Sequence, residues 1–124
     1  MTRDDRPVRV LVVEDEPLIA MVVEDVLEAL GCEVVGPIAE LDEALDAAGR
    51  GDFDCAILDV NIRGGLSFPV ATMLVERGFP ILLATGYRSG SMPDGLDHEG
   101  CLAKPFSSAQ LEREIQMLCD RLAQ

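Results

Sequence analysis

Three acids, a hydroxyl and an ammonium group stand where short apolar runs of this chain stop. Residues 8–13 run into Glu14 and Asp15, and residues 55–58 into Asp59. Residues 81–84 end at Thr85, and residues 101–103 at Lys104, followed by Pro105. Carboxylates brought together repel, and one takes a proton unless a cation is present. Oxygen ligands favour a hard metal; magnesium in particular binds one or two carboxylates and completes its shell with waters and phosphate oxygens. Beside such a cation Asp59 would be a nucleophile towards a phosphoryl group. Lys104 would pair with the phosphoryl oxygens, and Thr85 would donate a hydrogen bond to one of them. Transfer of this kind is mostly positioning and charge neutralisation.

The elements that must bring these residues together are legible as an alternation. Strand-like runs are expected at about residues 8–13, 33–36, 54–60, 80–85 and 100–103. Helical patterns fill the gaps, at about 17–30, 41–48, 68–77 and from Ser107 onward. Such alternation predicts an α/β fold, a parallel sheet with helices on both faces. The continuous β-branched run at 8–13 suits a strand buried on both sides. Pro17 suits the first turn of a helix and Gly31 its end. On that helix Ile19, Val23, Val26, Leu27 and Leu30 share one face, while Leu18 and Met21 point away from it. Gly49 should stop the second helix, and residues 61–65 read as a loop. Ser107 and Gln110 form a capping box for the last helix, whose inner face carries Leu111, Ile115, Leu118 and Leu122. In a doubly wound five-stranded sheet ordered 2-1-3-4-5, strands one and three flank the reversal of strand order, where sites form. Asp15 and Asp59 then face each other across a crevice, with Thr85 and Lys104 approaching from the other side.

Composition bounds the rest. The chain has 124 residues, 48% of them apolar, enough for one domain over 1–124 with residues 1–6 flexible. Its formal charge of −13 repels phosphate backbones and anionic lipid, so neither nucleic acid nor membrane is an expected partner. Cys32, Cys55, Cys101 and Cys119 form no C-x-x-C pair, which indicates neither a zinc site nor a disulfide framework. No apolar run is long enough to cross a bilayer, and a reduced, cytoplasmic location is expected.

In order, the motifs are Glu14-Asp15-Glu16, Leu58-Asp59-Val60-Asn61, Ala84-Thr85-Gly86 and Lys104-Pro105. With them the chain resembles the receiver domain of two-component response regulators, the CheY-like, flavodoxin-like fold, over nearly its whole length. The resemblance implies that Asp59 is the phosphoacceptor and that Glu14 and Asp15 support Mg2+. It implies that the backbone carbonyl of Asn61 completes the protein's ligands, that Thr85 is the switch hydroxyl and that Lys104 binds phosphate through a loop with a cis Lys104–Pro105 bond. The expected partners are a histidine kinase or histidine phosphotransfer protein and an unidentified downstream protein. Leu18 and Met21, exposed among acids on the first helix, are candidates for docking the phosphotransfer partner. The stretch Leu83-Ala84-Thr85-Gly86-Tyr87 is similar to a subgroup with a Phe-Ala-Thr-Gly-x-Tyr signature, mostly single-domain regulators, so a stand-alone receiver is expected.

Two positions depart from the family pattern. Cys101 stands three residues before the lysine, where receivers usually carry an aromatic switch residue, and Tyr87 is the candidate to replace it. Arg63 stands where many receivers have proline, so the loop after Asp59 should take a different path. The glycine-rich residues 86–100 weaken the usual dimerisation face, and a monomer is expected. Rival readings are a degenerate receiver that signals by binding alone, and a magnesium-dependent phosphatase working through an aspartyl-phosphate. The phosphatase normally needs an acid two residues after its nucleophile, where this chain has Asn61. A flavin-binding module on a similar fold is opposed by Glu14-Asp15-Glu16, which would repel a cofactor phosphate.

Overall fold

Residues 10–13 of the first strand are buried because alternate side chains feed two different cores. A computed structural model describes residues 6–85 and 100–122. β1 (Arg9–Val13), β3 (Cys55–Asp59), β6 (Ile81–Thr85) and β7 (Gly100–Ala103) run parallel with β2 (Glu33–Ile38) in one sheet, ordered β2-β1-β3-β6-β7. Taken as the five long strands in chain order, this is 2-1-3-4-5, the flavodoxin-like arrangement expected. Leu11, Val13, Ala56, Leu58, Ile81 and Leu83 pack on one face against α2 (Leu41–Arg50) and α3 (Phe68–Glu76). Val10, Val12, Cys55, Ile57 and Leu82 pack on the other, against α1 (Pro17–Ala29) and α4 (Ser108–Leu122). The strand period of two sends successive residues to opposite faces, so a strand covered on both sides must be apolar throughout.

The helices meet the sheet through the faces their sequences mark. Val23 and Leu27 of α1 are buried with Ala20, while Ile19, Val26 and Leu30 are partly buried against the same core. Removing the Leu27 side chain to alanine would cost about 2–5 kcal/mol, transfer and cavity together. Leu111, Ile115 and Leu118 form the buried face of α4. Its start is capped reciprocally: Gln110 N–H donates to Ser107 Oγ at 3.1 Å, and Ser107 N–H donates to Gln110 Oε1 at 2.8 Å.

Three local expectations change. α2 runs past Gly49 to Arg50 and ends at Gly51, whose φ of 66° supplies the left-handed turn that stops a helix. β2 extends to Ile38, and its register against β1 shifts between Leu11 and Val13. Gly36 sits at that shift with φ 107°, where a Cβ would come 2.8 Å from the Val12 carbonyl oxygen. Residues 61–65 are not a plain loop: β4 (Asn61–Ile62) pairs antiparallel with β5 (Gly65–Leu66) in a short hairpin. Arg63 ties this hairpin to a neighbouring turn. Its N–H donates to the Ala39 carbonyl at 3.2 Å and its carbonyl accepts from Leu41 N–H at 2.8 Å, and a proline there could not make the first bond. The loop after Asp59 is thereby tied to the turn before α2. The expectations for residues 1–5, for the glycine-rich stretch after Thr85 and for Tyr87 lie outside the described residues.

Candidate functional site

Parallel pairing sets the carboxyl ends of four strands side by side, and the candidate residues follow from register. Val13 lies opposite Leu58, so Glu14 and Asp59 each come one residue later on neighbouring strands. Asp59 pairs with Ala84, and Thr85 pairs with Ala103, which places Lys104 just past the sheet edge. Lys104 N–H donates to the Thr85 carbonyl at 2.9 Å, and the Lys104–Pro105 bond is cis.

Within this edge one oxygen from each of Glu14, Asp15 and Asp59 lies within 4.8 Å of the others. Glu14 and Asp59 are buried, at 5% and 6% exposure. Lys104 Nζ reaches Asp59 Oδ2 at 3.0 Å and Glu14 Oε1 at 3.3 Å. Glu16 N–H donates to Glu14 Oε2 at 3.1 Å, and Asn61 N–H donates to Asp59 Oδ1 at 3.3 Å, so both loops curl back onto the acids. Burial pushes the Glu14 carboxyl up to about 7, and its hydrogen bond to Asp59 adds to this; the Glu16 amide and Lys104 oppose it. Burial works against the charge on Lys104, yet the bond to Asp59 and the Glu14 and Asp59 charges outweigh it and raise its pKa. Among the described residues, the charge of Lys104 alone leaves the acids under-neutralised. A donor set of oxygens alone, with excess negative charge, fits a hard divalent cation such as Mg2+.

The sequence placed Glu14, Asp15, Asp59, Thr85 and Lys104 at one edge, and the fold brings them there. Thr85 is buried at the end of β6, beside Ala103. Asn61 is exposed at the start of β4. Tyr87 lies outside the described residues. Cys101 is exposed on β7 opposite Leu83. Leu18 is 76% exposed and lines a groove of about 450 Å³ with Glu16, Ile19, Val22, Lys104, Pro105 and Phe106. Met21 is exposed on the same helix but does not line that groove. Val22 is the partner that sequence reasoning missed; it lies one turn beyond Leu18, the spacing at which helix side chains meet. Ser67 was missed as well. It is fully buried, and its Oγ donates to the Asp59 carbonyl at 2.7 Å.

Residues 10–116 match the response regulator receiver domain. The chain belongs to this family. Receiver domains are the phosphorylation-controlled modules of two-component and phosphorelay signalling. It is 40% identical in sequence to SdrG from Sphingomonas melonis Fr1, whose solution structure superposes with a TM-score of 0.76 over 91% of this chain and 97% of that one. It is 31% identical over 120 residues to the transcriptional regulatory protein PdtaR of Mycobacterium tuberculosis, covering 93% of this chain and 58% of PdtaR. The receiver domain of the sensor histidine kinase PA1611 from Pseudomonas aeruginosa PAO1, solved with magnesium in its active-site cleft, is 25% identical. It superposes with a TM-score of 0.74 over 93% of this chain and 99% of that one. The receiver spans about half the length of the curated relatives it matches. No helix among the described residues is long and apolar enough to cross a membrane.

Proposed function

We propose that this receiver accepts a phosphoryl group on Asp59 from a histidine kinase or a histidine phosphotransfer protein, with Mg2+ as cofactor. The observation that carries the proposal is the Asp59 carboxylate itself. It is buried at a strand end, 3.0 Å from the Lys104 ammonium and clustered with Glu14 and Asp15. An Asp59 oxygen attacks phosphorus, the P–O bond forms as the donor's P–N bond breaks, and the electron pair leaves with the imidazole. Glu14, Asp15 and Asp59 would hold the cation, joined by the Asn61 backbone carbonyl. When bound, Mg2+ supplies neutralisation of the charge crowded between the acids and the phosphoryl oxygens. Lys104 orients Asp59 beforehand and pairs with a phosphoryl oxygen afterwards, while the Thr85 hydroxyl takes another.

Leu18, Val22 and Phe106, in the groove beside Lys104, give a phosphotransfer helix an apolar seat next to the acceptor, with Met21 extending the surface. The output is altered affinity for a downstream protein or onward transfer of the phosphoryl group, each a shift between two conformations. The receiver is not itself an enzyme in this reading: Asn61 occupies the place of the general acid that a phosphatase of the aspartyl type needs.

The test is incubation with magnesium and acetyl phosphate, followed by intact mass. A base-labile, acid-stable adduct on the wild type and none on Asp59→Asn supports the proposal. No adduct on a folded, magnesium-binding wild type leaves a receiver that signals through binding alone.

A further inference from the structure

Ser67 occupies the residue position that caps α3, yet its side chain makes no cap hydrogen bond. Serine is favoured there because its hydroxyl can accept from the N–H groups of the first turn. Here the hydroxyl is directed the other way. Ser67 Oγ donates to the Asp59 carbonyl at 2.7 Å in a buried contact, eight residues away in sequence. Ser67 N–H donates to the Val60 carbonyl at 2.8 Å. The side chain and backbone of one fully buried residue therefore hold two consecutive peptide units, beginning with that of the acceptor.

The position along the sheet explains why a clasp is needed. β1 pairs with β3 only as far as Leu58, while Asp59 has its strand partner, Ala84, on the β6 side. The acceptor thus sits where the ladder gives out on one side. The chain beyond it turns through the β4–β5 hairpin and returns at Ser67. That hairpin carries Asn61, whose N–H donates to Asp59 Oδ1. Ser67 closes the same loop at its far end.

We propose that Ser67 is a positioning residue for the acceptor: its hydroxyl fixes the Asp59 backbone, and through it the aim of the carboxylate and the placement of Asn61. This rests on the reading of Asp59 as phosphoacceptor. A clasp of this kind acts on rate, because displacing a reacting group by a fraction of an ångström slows reaction while leaving the fold intact.

The experiment compares wild type with Ser67→Ala and Ser67→Cys, the second close in size but a much poorer donor. Thermal unfolding, magnesium affinity from amide chemical shifts of Asp59 and Asn61, and the acetyl phosphate reaction rate at saturating magnesium are measured on each. Rates are taken well below every unfolding midpoint, so loss of stability alone leaves them unchanged. The expected result is phosphorylation about tenfold slower in Ser67→Ala, weaker magnesium binding, displaced Asp59 and Asn61 amide signals, and intermediate values for Ser67→Cys. Wild-type rate and magnesium affinity in a folded Ser67→Ala would overturn the proposal. Should the wild type take no phosphoryl group, the acceptor assignment fails, and the magnesium and chemical-shift comparison still decides whether Ser67 positions the loop.

Discussion

Replacing Glu14 by glutamine should remove a pH dependence from the stability of the metal-free protein. Folding raises the Glu14 carboxyl from 4.5 to about 7, burial being the main cause and the Asp59 bond the next. The folded chain therefore holds a proton that the unfolded chain has released between those two values. Below pH 4.5 both states carry it; above 7 neither does, and the folded state bears a buried charge. Stability is thus highest at the acid end of the window and is lost as pH rises through it. The shift corresponds to at most about 3 kcal/mol, less where Asp59 and Lys104 share the proton's energetics. Urea unfolding with a chelator, at about pH 5 and about pH 8, measures this for wild type and Glu14→Gln. The variant should gain on the wild type between the two conditions by up to about 3 kcal/mol. Magnesium should then stabilise the wild type more strongly at the higher pH, where Glu14 is ionised. A difference between wild type and variant that is the same at both pH values would refute the reasoning.

Other consequences follow from the same geometry. Lys104→Ala leaves Glu14 and Asp59 without their contacting cation; metal-free stability should fall by about 1–3 kcal/mol, discounted for the lysine's partial exposure. Magnesium should recover more stability in that variant than in wild type, read by thermal unfolding. Leu18→Glu or Val22→Glu should slow phosphoryl transfer from a phosphorylated histidine phosphotransfer domain at least tenfold, roughly one buried apolar contact, without changing the acetyl phosphate rate. Arg63→Pro deletes the N–H bond to the Ala39 carbonyl and should cost about 1–3 kcal/mol in urea unfolding. From the sequence alone, with Cys101 in place of the usual aromatic, Tyr87→Ala should abolish phosphorylation-dependent partner binding, measured with a pulled-down partner.

Much of the site was legible because it depends on where apolar runs stop. Glu14, Asp59, Thr85 and Lys104 are marked by that boundary, and parallel pairing does the rest. Asp15 follows Glu14 directly and needs no further signal. The features that were not legible have no periodicity to betray them. Two residues pairing with two others, Asn61–Ile62 with Gly65–Leu66, are too few to show a strand pattern. Gly49 and Gly51 are equal as helix breakers in sequence; only the φ of 66° at Gly51 shows which one takes the left-handed turn. Ser67 reads as an ordinary helix cap until its hydroxyl is seen on the Asp59 carbonyl. Arg63 was legible as a departure, but not the bond to Ala39 that its N–H makes. Leu18 was marked by its place on the helix, whereas its neighbours in the groove, Pro105 and Phe106, come from the far end of the chain.

The claim that matters most is that the phosphoryl group is carried by Asp59 and by no other acid in the cluster. Borohydride reduction of the phosphorylated protein converts an acyl-phosphorylated aspartate to homoserine, which peptide mapping then locates. Homoserine at position 59 alone, dependent on magnesium and absent from unphosphorylated protein, is the predicted result. Reduction at Glu14 or Asp15, or no reduced residue in a folded protein that binds magnesium, would contradict it.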